Sequence, residues 1–391
     1  MPIPLTKLSI TQEEHAAIEA VLRSGWLTQG PQVEAFEQEF AAAVSAPYAC
    51  AVSNCTAALH LALRAVGVGE GDEVITVSHS FIATANSIRY CGAVPVFIDI
   101  EKDGFNIDPT LIAAAITPRT KAVLCVHQMG MPCDLGAILP IVRSHRLALI
   151  EDAACAIGSE IWLDGRWERV GRPHGDIASF SFHPRKVITA GEGGMLTTAN
   201  PEYDRLFRLW RQHGMTVTDR QRHDASRVVF ETYDELGFNY RMTDLQAAIG
   251  RVQLAKLSEI VRQRRMLAAH YRHLLAEGTD CVPPHEPAWA RSNWQSYCVG
   301  LPEHGDQERI MESLLNRGIT TRRGIMCAHR EPAYEKQPWR KGSELEYTER
   351  RRDRSVLLPI FPGMTVEEQQ QVATGLREAT MLHAQPVRTG R

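Results

Sequence analysis

The stretch "EVITVSHSFIATANSIRYCGAVPVFIDI", residues 73–100, decides the fold class. The runs "EVITVS" and "VPVFIDI" are nearly continuous in apolar residues, which predicts strands that are covered on both faces of a sheet. The intervening "FIATANSIRYCG" has the pattern of a helix. A strand, a helix and a strand in this order predict a right-handed crossover between parallel strands.

The same alternation continues on both sides of this unit. The strand "YACAVS" and the helix "TAALHLALRAVG" precede it, and "DPTLIAAAI", "KAVLCVH", "DLGAILPIVRSHR" and "LALIEDAA" follow as helix, strand, helix and strand. Further short strands are predicted near "IASFSF", "GGMLTTA" and "EIWLDGRW". We therefore predict an α/β protein with a large, mostly parallel sheet covered by helices.

The chain changes character in its last third. The capping box "TDLQ" begins a long predicted helix that runs to about residue 277, and the strand-like "QSYCVGL" and the helical "QERIMESLLNRG" follow. We predict a large α/β domain over residues 1–245, and the connecting helix with a small α+β domain over residues 246–391. The polar residues 214–239 are predicted to form a lid or a contact loop, and the tail after residue 382 to be loosely held.

Composition excludes several classes of protein. The chain of 391 residues is 44% hydrophobic and has a net charge of −3, so it carries no electrostatic footprint for nucleic acid or for an anionic membrane. Nine cysteines without a CxxC pair argue for a reducing compartment and against a disulfide framework or a metal site. No signal peptide and no run of about 18 apolar residues is present. The expected location is the cytoplasm.

Ligands of a parallel sheet gather at the carboxyl ends of its strands, so the polar residues at those ends are candidates for chemistry. The sequence "SNCT", residues 53–56, opens a helix and could cradle a phosphate, although a plain N-cap is the alternative. Asp152, beside Glu151, ends a strand and could receive the positive charge of a bound ring. A helix cap or a salt bridge would explain it as well.

The third candidate is Lys186, in "SFHPRKVITAGEGG". It follows a strand, and the glycines after it allow a close approach of the backbone. A lysine whose pKa is lowered in a site becomes a nucleophile and a base, whereas most lysines are surface residues. His183 is predicted to be structural rather than a metal ligand. A phosphate cradle, a carboxylate for a pyridinium nitrogen and a lysine for an aldehyde are the groups that pyridoxal 5′-phosphate needs.

At this point the chain resembles the nucleotide-sugar aminotransferases of the DegT/StrS type, which have the fold-type-I pyridoxal-phosphate architecture. The most specific motifs are "EDAA", "SFSFHPRKVITAGEGGM" and "GFNYRMTDLQAAIGRVQL", and the resemblance runs nearly end to end. It implies two catalytic residues, Lys186 and Asp152. It also implies cofactor contacts, which are Cys55, Thr56, Phe81, Cys155, Ser181 and Asn239 in addition to those two.

The resemblance also implies a role for each of these residues. Lys186 would bond covalently to the cofactor, Asp152 would pair with its ring nitrogen, and Phe81 would stack on the ring. The backbone at Cys55, with the hydroxyl groups of Thr56 and Ser181, would bind the phosphate. Asn239 would reach the phosphate in a partner subunit, which implies a homodimer with shared active sites.

The sequence departs from the family pattern in three places. Cys155 stands where the family has a glutamine that helps to orient the cofactor, so this contact is open. Cys55 replaces a glycine, which is tolerable if only its backbone NH is used. The segment "SEIWLDGRWERVGRPHGD" is longer than usual, which predicts an extended hairpin.

The implied reaction moves an amino group from L-glutamate to a keto-sugar carried on a nucleotide, by ping-pong kinetics through pyridoxamine phosphate, for amino-sugar, polysaccharide or glycan biosynthesis. Paired arginines are as often structural as ligand-binding, so structural salt bridges remain an alternative for the substrate contacts. The candidate substrate contacts are Trp26, Thr28, Arg241, Trp294, Arg322, Arg323 and His329.

Four alternatives can be separated from this reading. A sugar dehydratase of the same family would have histidine at position 186, and a short-chain reductase would need a GxGxxG turn and a Tyr-x-x-x-Lys pair, neither of which is found. A regulatory protein that kept the fold would bind the cofactor without transferring an amine. A keto-cyclitol of the inosose type is the alternative acceptor.

Overall fold

The computed structural model describes residues 2–218, 222–223, 225–276 and 278–383. The predicted loose tail lies almost wholly outside the described residues. The strands in chain order are β1 (Tyr48–Val52), β2 (Glu73–Val77), β3 (Val94–Ile98), β4 (Thr120–Val126), β5 (Ala148–Asp152), β6 (Glu160–Leu163), β7 (Arg166–Arg169), β8 (Ile177–Ser181), β9 (Gly194–Thr198), β10 (Ala290–Arg291), β11 (Tyr297–Gly300), β12 (Arg322–Arg323), β13 (Arg340–Lys341) and β14 (Ser355–Leu358).

Helices connect most of these strands. In chain order they are α1 (Gln12–Ser24), α2 (Pro31–Val44), α3 (Cys55–Ala65), α4 (Ala83–Tyr90), α5 (Ile112–Ala115), α6 (Leu135–Ser144), α7 (Pro201–Trp210), α8 (Asp244–Ala255), α9 (Leu257–Leu274), α10 (Gln307–Asn316), α11 (Glu346–Asp353) and α12 (Val366–Leu382). The helix predicted after Asp108 is instead a 3-10 turn followed by the single turn α5.

The main sheet has the strand order β1-β9-β8-β5-β4-β2-β3-β13. All neighbours from β8 to β13 pair in parallel, and β9 runs antiparallel to both β8 and β1. Side chains alternate between two buried clusters, so that Ile177 belongs to one and Ala178 to the other. A sheet with a hydrophobic core on each face confirms the predicted α/β class.

The predicted hairpin is present as β6 and β7, in which Trp162 faces Trp167. The strand β10, from the far C-terminal part of the chain, pairs with β6 and makes it a three-stranded sheet. The helix predicted to run from residue 243 to 277 is interrupted at Lys256. The interruption coincides with a hydrogen bond from the Lys256 ammonium group to Glu14 of α1, at 2.9 Å.

The C-terminal part has its own antiparallel sheet, in the order β11-β14-β12, and its own buried cluster. This cluster contains residues of α9, α10 and α12, and also Ile3 from the N-terminus. In return β13 extends the main sheet by pairing with β3. The division at residues 245 and 246 stays a prediction, and these exchanges show how closely the two parts are tied.

Within the residues that the structure describes, no helix is both long enough and apolar enough to cross a membrane.

Candidate active site

The sequence candidates for cofactor chemistry come from strands that end at the same edge of the main sheet. Asp152 is the last residue of β5 and Ser181 is the last residue of β8. The strand β1 runs in the same direction, because it and β8 are both antiparallel to β9, and Thr56 follows it at the start of α3. Parallel strands thus bring these side chains to one edge, as expected.

The start of α3 is built to leave backbone NH groups for a ligand. Asn54 is the N-cap, and its side chain accepts a hydrogen bond from the Ala57 NH at 2.9 Å. Cys55 and Thr56 are the first two helical residues, where NH groups have no partner within the helix. The Cys55 side chain is buried, so it is the backbone at position 55 that can face a phosphate.

A glycine explains how β9 reaches this helix terminus. A side-chain carbon at Gly194 would lie 2.5 Å from the Asn54 carbonyl carbon and 2.8 Å from the Cys55 nitrogen. No other residue fits that approach without moving the backbone. The glycine cluster after Lys186 therefore packs the strand against the predicted phosphate cradle.

Asp152 is buried beside few hydrogen-bond donors. Its Oδ2 accepts from the Thr84 hydroxyl at 2.8 Å, and its Oδ1 accepts from the Ala154 NH at 3.2 Å. Burial raises the pKa of Asp152, although these two hydrogen bonds act in the opposite direction. A cation placed against this carboxyl group would stabilise its ionised form.

Lys186 lies in the same site, and its amine donates a hydrogen bond to the Cys155 thiol. The distance from Lys186 Nζ to Cys155 Sγ is 3.1 Å. Burial acts to lower the pKa of Lys186, but Cys155, Cys55 and then Asp152 act to raise it. The net direction for the pKa of Lys186 in the protein without cofactor is upward, opposite to the lowering that we expected from the sequence.

The other predicted cofactor contacts surround this centre. Phe81 follows β2 and its side chain is 64% exposed, which leaves an aromatic face for a ring to cover. The Ser181 hydroxyl accepts from the His183 NH at 3.4 Å. Asn239 is exposed, and the carbonyl of the next residue, Tyr240, accepts from the Ser53 NH beside the cradle.

The predicted substrate contacts near the N-terminus flank a buried carboxylate. Trp26 donates its indole NH to the Gln29 carbonyl at 3.1 Å, and Thr28 is exposed. The Thr28 carbonyl accepts from the Asp244 NH at 3.2 Å. Arg241 is half-buried, three residues before Asp244. Their role as substrate contacts stays a prediction.

The predicted substrate contacts of the C-terminal part differ among themselves. Arg322 and Arg323 are exposed on β12. Trp294, in contrast, is 4% exposed, and its ring packs on Tyr297 in the buried cluster of the C-terminal part. Trp294 also lines a cavity, and its role as a substrate contact stays a prediction. Both ring nitrogens of His329 are occupied, so substrate binding there would require the loss of a hydrogen bond; the partners are Ser78 at 2.6 Å and Glu349 at 3.0 Å.

Sequence reasoning missed three residues that shape the site. Thr84 binds Asp152 from within the quoted motif "SHSFIATAN", one helical turn after Phe81, and this spacing could have revealed it. Arg185, next to Lys186, has its pKa lowered by burial and then by the charge of Arg322, so these two guanidinium groups lie near each other. Asn293 binds the Cys155 carbonyl from 138 residues away, which no local pattern signals.

The structure also contains a cavity of about 280 Å³. Its walls include the residues that follow β3 and β4, such as Phe105 and Met129, and Trp289 from the C-terminal part. Lys186, Asp152 and Thr56 are not among its walls, so the cavity is distinct from the candidate cofactor site.

The residues present fit pyridoxal 5′-phosphate. The buried Asp152 carboxyl group has a raised pKa and would gain a cation from the protonated ring nitrogen. The first turn of α3 offers NH groups to the phosphate, and Lys186 carries the amine that can bond to the aldehyde. Such a site on a mostly parallel sheet defines a pyridoxal-phosphate enzyme of the fold-type-I class.

The chain belongs to the DegT/DnrJ/EryC1/StrS aminotransferase family, whose family model matches residues 8–377. It is 36% identical over 380 residues to the spore coat polysaccharide biosynthesis protein SpsC of Bacillus subtilis (strain 168), with 96% of each chain covered. The protein is therefore a pyridoxal-phosphate-dependent aminotransferase. The reductase and regulatory alternatives are not retained.

Solved structures agree with this assignment. The PLP form of Spr1654 from Streptococcus pneumoniae has a TM-score of 0.90 at 25% identity, covering 98% of this chain and 100% of that one. DesI, solved in the presence of its TDP-sugar product, has a TM-score of 0.85 at 31% identity, covering 97% of this chain and 93% of that one.

Proposed function

We propose that this aminotransferase moves an amino group from L-glutamate to a keto-sugar carried on a nucleotide, in a route to amino sugars. The observation that carries the proposal is Lys186 beside the buried Asp152, in a chain similar over nearly its whole length to SpsC and DesI. The name of SpsC refers to polysaccharide biosynthesis, and DesI was solved in the presence of its TDP-sugar product. A lysine at position 186 also separates this chain from the dehydratase branch.

Each residue of the site would have a defined part in this reaction. When bound, pyridoxal 5′-phosphate supplies an aldehyde carbon and an electron-accepting ring. The α3 terminus, with Thr56 and Ser181, would bind the phosphate, and Asp152 would keep the ring nitrogen protonated. Lys186 Nζ, once released by the incoming amine, would take the proton from the α-carbon of the donor.

The charges around Lys186 support a dicarboxylate donor. Arg322 is exposed, and its positive charge helps to lower the pKa of Arg185, after burial. Two guanidinium groups that repel each other gain stability when a carboxylate lies between them. We therefore propose that Arg185 and Arg322 bind carboxylate groups of L-glutamate.

We further propose that the protein works as a homodimer with shared active sites. The segment before Asn239 exposes Val228 (81%), Phe230 (86%) and Leu236 (88%). Exposed apolar side chains concentrated in one segment are typical of a surface that another chain covers. Light scattering after size-exclusion chromatography tests this, and a monomer at micromolar concentration would contradict it.

The first experiment is the visible absorption spectrum of the purified protein before and after addition of L-glutamate. We expect a yellow protein that L-glutamate bleaches without any sugar present, since a ping-pong enzyme completes its first half-reaction alone. Lys186→Ala is the control and should not show the same band. A wild-type protein that stays colourless with added cofactor would contradict the proposed role of Lys186.

The acceptor is tested with the bleached protein. Nucleotide-linked keto-sugars should restore the yellow band, and a free inosose should not. Recovery with the inosose alone would replace the nucleotide sugar by the keto-cyclitol alternative. A band that L-glutamate does not bleach, but another amino acid does, would correct only the donor.

A further inference from the structure

Cys155 occupies an unusual position among the cysteines of this protein. All nine cysteines lie in the part of the chain that the structure describes, and eight of them are buried. Cys155 is partly exposed, and its Sγ is 3.1 Å from Lys186 Nζ. It also stands where the family resemblance leads us to expect a glutamine. The residue nearest to the amine is therefore one that can gain and lose a proton.

A buried asparagine fixes the backbone of Cys155. Asn293 is 0% exposed, and its Nδ2 donates to the Cys155 carbonyl and to the Ile157 carbonyl, each at 2.8 Å. The Asn293 NH donates to the Ser159 hydroxyl at 2.9 Å. Three hydrogen bonds to one short segment hold the backbone from which the Cys155 side chain projects.

The same turn also holds the segment that carries Lys186. Asn293 Oδ1 accepts from the Gln295 NH at 2.8 Å, and Gln295 Nε2 donates to the Arg185 carbonyl at 2.7 Å. Trp294 between them adopts a left-handed backbone (φ 53°), and its ring is anchored in the buried cluster of the C-terminal part. Residues 293–295 therefore connect the backbone at Cys155 to the backbone next to Lys186.

We propose that Cys155 is a catalytic residue that exchanges a proton with the Lys186 amine, and that Asn293 is the positioning residue that keeps the two within hydrogen-bond reach. The proton moves from thiol to neutral amine, giving a thiolate and an ammonium group, or back again, so that charge and atoms balance. This inference rests on the proposed role of Lys186. It is independent of which donor and which sugar the enzyme uses.

A thiol at position 155 can store a proton in the site, which the amide of a glutamine cannot do. When Lys186 is not bonded to cofactor, a proton that it has taken from the donor can stay on the pair instead of passing to water. A glutamine at position 155 would donate or accept a hydrogen bond without changing its protonation state. Cys155 thus adds a second ionisable group at the reacting nitrogen.

The first test uses the holoenzyme without substrate. The pH midpoint of its visible band reports the proton on the lysine nitrogen. In the holoenzyme this nitrogen is bonded to the cofactor, and a thiolate at Cys155 would favour its protonated form as it would that of the free amine. Cys155→Ala should therefore move the midpoint to lower pH. Cys155→Ser keeps a hydrogen bond but not an ionisable thiol, so it should follow Cys155→Ala. An unchanged midpoint in Cys155→Ala, or a wild-type midpoint in Cys155→Ser, would overturn the proposal.

The positioning role has a matched control in the same protein. Asn106 is also a buried asparagine, whose Nδ2 donates to the carbonyls of Met131 and Pro132 and whose Oδ1 accepts from the Gln128 NH. Asn293→Ala should shift the midpoint as Cys155→Ala does, and Asn106→Ala should not. If Asn293→Ala fails to fold, Gln295→Ala removes the bond to the Arg185 carbonyl and that from the Ser296 hydroxyl, and leaves the Asn293 side-chain bonds to the Cys155 and Ile157 carbonyls in place. Equal shifts in the Asn106 and Asn293 variants would overturn the positioning role.

The second test needs no cofactor, so it separates this proposal from the proposed function. Iodoacetamide should alkylate Cys155 of the cofactor-free protein several-fold faster than Cys155 of Lys186→Met, as followed by mass spectrometry, because the ammonium group stabilises the thiolate. Equal rates would overturn the proton exchange, even if the protein binds cofactor and transfers amines. If Cys155 is alkylated fast but the protein binds no cofactor, the proton exchange between Cys155 and Lys186 is supported and the proposed function is rejected.

Discussion

The two faces of β5 carry neighbouring carboxyl groups with opposite surroundings. Glu151 is 0% exposed, and it accepts from His127 Nε2 at 3.0 Å and from the Gly175 NH at 3.1 Å. His127 Nδ1 accepts from the Cys133 NH, which places the ring proton on Nε2, facing Glu151. Asp152, one residue later, accepts hydrogen bonds from the Thr84 hydroxyl and the Ala154 NH.

The difference in donors reverses the effect of burial. Burial acts to raise the pKa of both groups, but for Glu151 the hydrogen bond from His127, with His174 and the Gly175 NH, brings the net direction downward. For Asp152 burial prevails and the pKa is raised, although Thr84, Ala154 and Lys186 act in the opposite direction. The fold thus stabilises the ionised form of Glu151, whereas a further cation beside Asp152 would stabilise its ionised form. This distinguishes a structural from a functional acid on a single strand.

The difference between Asp152 and Glu151 should have its largest effect on the rate of the reaction. We expect Asp152→Asn to slow the bleaching by L-glutamate by roughly 10²–10⁴-fold, the range typical of a lost acid–base group, because an amide does not keep the ring nitrogen protonated. Stopped-flow absorbance measures this rate. Glu151→Gln serves as the matched control on the same strand and should stay within about tenfold of wild type. Equal losses in the two variants would contradict the assignment of roles.

In the cofactor-free protein we expect Glu151→Gln to lower the free energy of unfolding and Asp152→Asn to raise it. Glu151→Gln replaces an acceptor that buried donors require, so we expect a loss of about 1–3 kcal/mol in the free energy of unfolding. Asp152→Asn removes a buried carboxyl group whose ionised form burial disfavours, so the free energy of unfolding should rise. Urea unfolding of the cofactor-free proteins measures both changes. A loss of stability in Asp152→Asn would show that Asp152 is already satisfied by the fold.

The sequence predicts the role of Asp152 better than it predicts the role of Glu151. Asp152 and Lys186 were predicted because each follows a short apolar strand, and strand ends meet at one edge of a parallel sheet. The partners of Glu151 lie 24 residues away in each direction, on different elements, so no spacing indicates them. Asn293 is still farther from Cys155.

The interruption at Lys256 is hidden from sequence for a related reason. The helical pattern continues through position 256, and the capping box at Thr243 is present as predicted. What distinguishes Lys256 is its contact with Glu14 of α1, which is 242 residues away. Local patterns thus specify the elements and the strand-end residues. Long-range hydrogen bonds such as those of Lys256 and Glu151 have no signal in the local pattern.

The two carboxyl groups should also respond differently to pH. Glu151 has a folded-state pKa below its ordinary value of 4.5, so its contribution to stability is complete above that value and is lost as the pH falls through the folded-state pKa. Asp152 has a folded-state pKa above 3.8, so stability is lost as the pH rises through it. Urea midpoints from acidic to neutral pH check both signs.

The variants Glu151→Gln and Asp152→Asn give a further test of these two pH dependences. The stability deficit of Glu151→Gln should shrink toward acidic pH, because protonation removes the advantage of the wild-type carboxylate. The stability gain of Asp152→Asn should grow from acidic toward neutral pH in the cofactor-free protein. Parallel pH curves for wild type and both variants would mean that neither group changes its pKa on folding.

The smallest expected effect concerns Thr84, whose hydroxyl is the side-chain donor to Asp152. Thr84 is 2% exposed, and its Oγ1 lies 2.8 Å both from Asp152 Oδ2 and from Ser80 Oγ. Thr84→Val keeps the shape and removes the donor, so the pKa of Asp152 should rise further. The carboxyl group is then less often ionised at neutral pH, and we expect cofactor binding to weaken by about five- to tenfold, or about 1 kcal/mol.

Equilibrium titration of cofactor-free protein with pyridoxal 5′-phosphate, followed in the visible band, measures that change. Thr84→Ser retains the hydroxyl and should bind the cofactor as wild type does. If Thr84→Val also binds like wild type, the hydroxyl does not support the ionised form of Asp152. The raised pKa of Asp152 would then be relieved by the cofactor alone, and the contrast with Glu151 would be complete: one acid served wholly by the fold, the other wholly by its ligand.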